Sequence, residues 1–143
     1  TVEIPLELTE QVIQSEQKQH LHRDLTGIHV LMAEDNDLNA ELATIMLEDA
    51  GMTVTRASDG KEVVDLFKNH PRGTYDLILM DIMMPKMNGD EAAKCIRKIH
   101  PSIPIVAMSA QSEYSMNQTI MNDSISKPID EQKLNHILSK YVA

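Results

Sequence analysis

Five short apolar or β-branched runs of strand length, separated by segments of helical periodicity, constrain this chain more than any other feature. They are IHVLMA at 28–33, MTVTRA at 52–57, YDLILM at 75–80, IPIVAM at 103–108 and SIS at 124–126. Strands whose apolar residues run on rather than alternate are buried on both faces, and strands alternating with helices build a parallel sheet wrapped by helices. Leu38, Leu42, Ile45 and Met46 recur at helical spacing, with Gly51 placed as a stop. Val63, Val64 and Phe67 mark a second helix ending before Pro71, and Ala92, Ile96 and Ile99 a third that starts at Gly89 and stops at His100. The polar stretch between Ser109 and Asp123 has room for a short fourth helix. Asp130 caps the last, which carries Leu134, Ile137, Leu138 and Tyr141 on one face. The expectation is a doubly wound α/β domain of five parallel strands and five helices.

Composition narrows the partners. The 143 residues are 42% hydrophobic, enough for a sizeable core at this length. Aromatics are only 3% against ten methionines, so methionine and aliphatic side chains must do the core filling. A net charge of −9 opposes nucleic acid or anionic lipid as a direct partner and leaves cations and proteins. The single cysteine, Cys95, supports neither an intrachain disulfide nor a zinc cluster, and the six histidines show no ligand spacing. The opening TVEIPLEL lacks the basic and apolar regions of a signal peptide, and no apolar run is long enough to span a bilayer, so a reducing cytoplasm is the expected compartment.

In doubly wound sheets, functional groups collect at the carboxyl ends of the strands. Strand one runs into Glu34 and Asp35, strand three into Asp81, strand four into Ser109 and strand five into Lys127-Pro128. If strand one is central, these side chains converge. Two unit charges about 4 Å apart interact by about 4 kcal/mol at an effective dielectric near 20. Three gathered carboxylates therefore demand a cation or a raised pKa. Hard oxygen donors with room for water suit Mg²⁺, whose charge with that of Lys127 would neutralise the cluster. A carboxylate accepting a phosphoryl group would add oxygens for metal, lysine and hydroxyl to hold, which makes phosphoryl transfer to Asp81 chemically plausible.

AEDNDLN at 33–39, LILMDIMMPKMNG at 77–89, VAMSA at 106–110 and SISKPI at 124–129 occur in the order found in response-regulator receiver domains, and residues 26–143 resemble that family. The resemblance implies a flavodoxin-like sheet of order 2-1-3-4-5. It also implies that Asp81 is the phospho-acceptor, that Asp35, Asp81 and the Met83 carbonyl bind Mg²⁺ with Glu34 acting through water, and that Ser109 and Lys127 contact the phosphoryl oxygens. A cis Lys127–Pro128 bond would aim the lysine into the site.

Three departures stand out. Lys127 follows Ser109 by 18 residues, about one helical turn fewer than usual in the family, so the fourth helix should be short or distorted. Most receivers carry an aromatic three residues before that lysine, where this chain has Ser124; the hydroxyl–aromatic switch is expected to be weakened, with Tyr114 as a substitute ring. Met83 and Gln111 occupy the positions that flank the phosphoryl group, and an apolar Met83 cannot orient a hydrolytic water, which implies slow self-dephosphorylation.

Residues 1–25 form the remaining unit. TVEIPLEL resembles the closing strand of a histidine-kinase ATP-binding domain, and the polar stretch to His22 reads as a linker. Strand, linker and receiver in that order resemble the end of a hybrid histidine kinase. Such a kinase domain, acting in cis, would be the phosphoryl source and a histidine phosphotransfer protein the recipient. The parent kinase could be membrane-anchored, but no kinase motifs are present in this segment. The competing readings are a phosphate-independent receiver-like interaction module and an aspartyl-phosphate hydrolase. The hydrolase would carry a second Asp where Met83 stands. A flavodoxin-like nucleotide binder fits poorly, because EDND puts carboxylates where a phosphate needs N–H donors.

Overall fold

Continuous apolar runs become strands buried on both sides. In the computed structural model, which describes residues 25–71, 73–110 and 120–142, β3 (Leu77–Asp81) and β4 (Ile105–Ser109) are buried at every residue. They lie in a five-stranded parallel sheet of order β2-β1-β3-β4-β5, with β1 at His29–Ala33, β2 at Thr53–Ala57 and β5 at Asp123–Ser126. β1 is therefore flanked by β2 and β3, the central placement that convergence of the strand-end residues requires. Asp81 and Ser109 are the last residues of their strands rather than the first of the loops, because the ladder extends one residue further than the apolar runs.

Successive side chains of a strand point to opposite faces, and two cores result. Leu31, Ile78, Met80 and Ile105 pack with Val63 and Phe67 of α2 (Gly60–Lys68) and Ile96 of α3 (Gly89–Ile99). On the other face Val30, Met32, Leu79 and Met108 pack with α1 (Asp37–Asp49) and with Leu134 and Ile137 of α4 (Glu131–Tyr141). Met32, Met80, Met108 and Met121 are all but inaccessible, so methionine does fill the core as the composition required.

One helix faces the sheet differently from the sequence pattern. Most of the expected apolar row of α1 is turned outward: Leu38, Leu42 and Ile45 are 63%, 51% and 53% exposed, while Met46 packs partly against the core and Ala40, Ala43 and Leu47 meet the sheet. Both rows have helical spacing. Small alanines let the helix lie close to the sheet, with its nearest strand contacts on β2, leaving the larger leucines on the surface.

Every described helix begins with a capping side chain. Asn36, Asp59, Asn88 and Asp130 accept the backbone N–H of Asn39, Glu62, Glu91 and Lys133. Four helix N-termini, the positive ends of their dipoles, thus lie at the carboxyl edge of the sheet. The connection expected to hold the short fourth helix, with Gln111 and Tyr114, lies outside the described residues, as do TVEIPLEL and the linker.

Candidate acidic phosphoryl and metal site

The acids named from the sequence meet at this edge. Glu34, Asp35 and Asp81 each offer a carboxylate oxygen within 4.8 Å of the others. Glu34 and Asp81 are buried, at 2% and 3% exposure, and Asp35 is exposed, so the cluster is open to solvent on one side. The Lys127 ammonium sits between the two buried acids, 2.8 Å from Glu34 Oε1 and 3.2 Å from Asp81 Oδ2.

Backbone ties hold each member. The Glu34 N–H donates to Ala57 O at 3.0 Å, extending the β1–β2 ladder into the loop, and Glu34 Oε2 accepts the Asn36 N–H at 3.2 Å. Asp81 Oδ1 accepts the Met83 N–H at 3.4 Å, which places the Met83 backbone beside the acceptor while its side chain is 63% exposed. Ser109 is buried at the end of β4, and its carbonyl accepts the Lys127 N–H at 2.8 Å, so hydroxyl and lysine are carried by adjacent strand ends. The Lys127–Pro128 bond is cis. Gly89 fits directly beneath the acceptor, where a Cβ would collide with the Asp81 carbonyl oxygen.

Electrostatics match the expected conflict. The Asp81 carboxyl is pushed up to about 7, first by burial and then by the negative charge of Glu34, with Lys127 opposing both. The Lys127 ammonium is held above the ordinary lysine range; burial opposes this, and the hydrogen bond to Glu34 and the charge of Asp81 outweigh it.

Sequence reasoning missed Arg56. Its guanidinium, from β2, donates to the Glu34 carbonyl through Nε at 3.0 Å and Nη2 at 2.8 Å, and pairs with Asp37 at 2.8 Å. It thereby fixes the loop that carries Glu34 and Asp35. A lone arginine within a strand was the available signal, but its acceptor is a backbone carbonyl 22 residues away. A cavity beside the site is lined by Glu34, Leu42, Met46, Lys127, Pro128 and Ile129. Cys95 is a half-buried thiol, and no histidine joins a ligand cluster among the described residues.

Comparison with known proteins agrees with this geometry. The sequence profile described as "Response regulator receiver domain" matches residues 30–139. Autoinducer 1 sensor kinase/phosphatase LuxN of Vibrio harveyi is 35% identical over 117 residues, covering 79% of this chain and 13% of that protein. A peroxide stress-activated histidine kinase of Schizosaccharomyces pombe is 36% identical over 123 residues, covering 80% of this chain and 8% of its own length. This chain therefore spans only a small part of either relative. The receiver domain of a Pseudomonas aeruginosa sensor histidine kinase, solved with a magnesium ion in its active-site cleft, superposes with a TM-score of 0.73 at 32% identity, covering 81% of this chain and 98% of that one. The complex of a Saccharomyces cerevisiae histidine phosphotransfer protein with the receiver of its downstream response regulator matches with a TM-score of 0.69 at 27% identity, covering 80% of this chain and 88% of that one.

Proposed function

The chain belongs to the response-regulator receiver family, and from that premise we propose that Asp81 accepts a phosphoryl group from a phosphohistidine in a Mg²⁺-dependent step and passes it to a histidine phosphotransfer partner. The observation that carries this reading is the Lys127 ammonium lodged between two buried carboxylates, with the third within 4.8 Å.

The donor set fits Mg²⁺: three hard carboxylate oxygens with one side open for water, beside which the Met83 backbone runs, its N–H on Asp81 Oδ1. Glu34, Asp35, Asp81 and Met83 would hold it. When bound, the ion would supply positive charge to the phosphoryl oxygens and relieve the repulsion that raises the Asp81 pKa. An Asp81 carboxylate oxygen attacks phosphorus, the P–N bond to the donor imidazole breaks, and its electron pair leaves with the imidazole. Lys127 holds the phosphoryl oxygens through its ammonium and Ser109 through its hydroxyl. The same residues serve the reverse transfer to a second histidine.

The outward row of α1 supports a protein as donor and recipient. Leu38, Leu42 and Ile45 form an exposed apolar strip, and Leu42 shares the lining of one cavity with Glu34 and Lys127. A partner seated on this strip would bring its histidine to Asp81. The similarity to sensor kinases supports reading the chain as the receiver portion of a hybrid histidine kinase, and on that reading residues 1–25 are the end of the kinase domain and its linker. No helix among the described residues is long and apolar enough to cross a membrane.

The test is incubation with Mg²⁺ and a small phosphodonor, or with a phosphorylated histidine phosphotransfer protein. An acid-stable, hydroxylamine-sensitive adduct absent from Asp81→Asn is the expected result. Ser124 lies exposed in β5 where a switch aromatic would stand, which favours the phosphate-independent module as the second reading. Partner binding without any adduct would select it, and multiple turnover of an organic phosphate would select the hydrolase.

A further inference from the structure

Lys133 occupies the first turn of α4, where the helix dipole opposes a cation. It makes no ion pair among the described residues. Its ammonium instead donates to Ser126 O at 3.3 Å, Ser126 Oγ at 3.0 Å and Pro128 O at 3.2 Å. An ammonium has three donors, and these three acceptors use them all. The two carbonyls belong to the residues immediately before and after Lys127. The Lys127 N–H is itself tied to Ser109 O at 2.8 Å, and the Lys133 backbone is fixed by the Asp130 cap at 2.8 Å.

We propose that Lys133 is a positioning residue: by bridging the carbonyls on both sides of Lys127, it fixes the turn that delivers the Lys127 ammonium between Glu34 and Asp81. The inference rests on the reading of Asp81 as phospho-acceptor and Lys127 as the cation that holds the phosphoryl group. Lys133 touches neither the acceptor nor the acids; it acts through the backbone of the β5–α4 turn. A lysine that served only to stabilise α4 would sit near its C-terminal end, as Lys140 does, paired with Asp123 at 2.7 Å.

The test compares the wild-type chain, Lys133→Met and the charge control Lys140→Met. Two quantities are read: the rate of Asp81 phosphorylation at saturating small phosphodonor and Mg²⁺, and the NMR resonance of the Lys127 ammonium without donor. In Lys133→Met the saturating rate is expected to fall about tenfold, short of the ~100-fold that a full ångström of misplacement costs, and the Lys127 resonance is expected to shift. Lys140→Met should change neither. An unchanged rate and an unshifted resonance in Lys133→Met overturn the proposal, and so does an equal effect of Lys140→Met. If the wild type forms no adduct, the acceptor reading fails, and the resonance alone still decides whether Lys133 places Lys127.

Discussion

Asp81→Asn should make the metal-free protein more stable, an unusual result for loss of a buried polar contact. A carboxyl normally titrates near 3.8, and in the folded chain burial and Glu34 push Asp81 to about 7. Between those values the folded state binds more protons than the unfolded one, so stability falls as pH rises through this window and levels off above it. A difference of about three pKa units corresponds to at most about 4 kcal/mol. The amide keeps an oxygen for the Lys127 ammonium but loses the charge, so a gain of about 1–3 kcal/mol near pH 8 is expected, shrinking to about 1 kcal/mol or less near pH 4.5. Mg²⁺ should reverse the order, because ligand at a hundred times its dissociation constant adds about 2.7 kcal/mol to the form that binds it, and the variant would lack one of the proposed ligands. Urea unfolding of both proteins at two pH values, in chelator and in Mg²⁺, measures all of this. A variant less stable than wild type near pH 8 in chelator, or one whose advantage does not shrink on acidification, would refute the account of a frustrated buried cluster.

Lys127→Met should have the opposite sign, since it leaves Glu34 and Asp81 buried without their cation: a loss of about 3 kcal/mol in chelator near pH 8 is expected, partly restored by Mg²⁺ in the same urea assay. Leu42→Glu, at a half-exposed position on α1, should leave the melting temperature and small-donor phosphorylation unchanged while slowing transfer from a phosphorylated histidine phosphotransfer protein tenfold or more, about 1.4 kcal/mol or more of lost docking. Gly89→Ala drives a methyl group into the Asp81 backbone and should cost about 1–3 kcal/mol by urea unfolding and depress the adduct yield as the acceptor shifts.

The fold was legible because burial on both faces writes itself into sequence as unbroken apolar runs. β3 and β4 are buried at every residue, and their ends coincide with the first polar side chains, Asp81 and Ser109. The site followed from the same rule, since polar residues at the ends of neighbouring parallel strands can only meet. The inner face of α1 was not legible. Ala40, Ala43 and Leu47 carry less hydrophobicity than Leu38, Leu42 and Ile45, and a pattern weighted by hydrophobicity selects the stronger row. Proximity to the sheet selects the smaller side chains. Arg56 and Arg97 were invisible for another reason: their acceptors are mostly backbone oxygens. Arg97 donates to Ile120 O at 2.7 Å and Ile103 O at 2.6 Å, and backbone acceptors leave no mark in composition or spacing.

Those arginines bear on how a charge added at Asp81 can be felt elsewhere. Arg56 clamps the Glu34 carbonyl, and Arg97 also takes Asn122 Oδ1 at 2.7 Å, an oxygen that accepts the Ile105 N–H at 2.9 Å as well. The β1–α1 loop and the segment entering β5 are thus pinned by guanidinium groups whose charge is independent of the acceptor's state. Lys127 is different, because its ammonium is held by the acids themselves. A phosphoryl group accepted at Asp81 would take over part of that hold, so the Lys127 ammonium is the described group whose hydrogen bonds phosphorylation would change most directly. With Ser124 at the β5 position expected to hold a ring, the local path proposed from Asp81 among the described residues would run through the lysine rather than through an aromatic side chain.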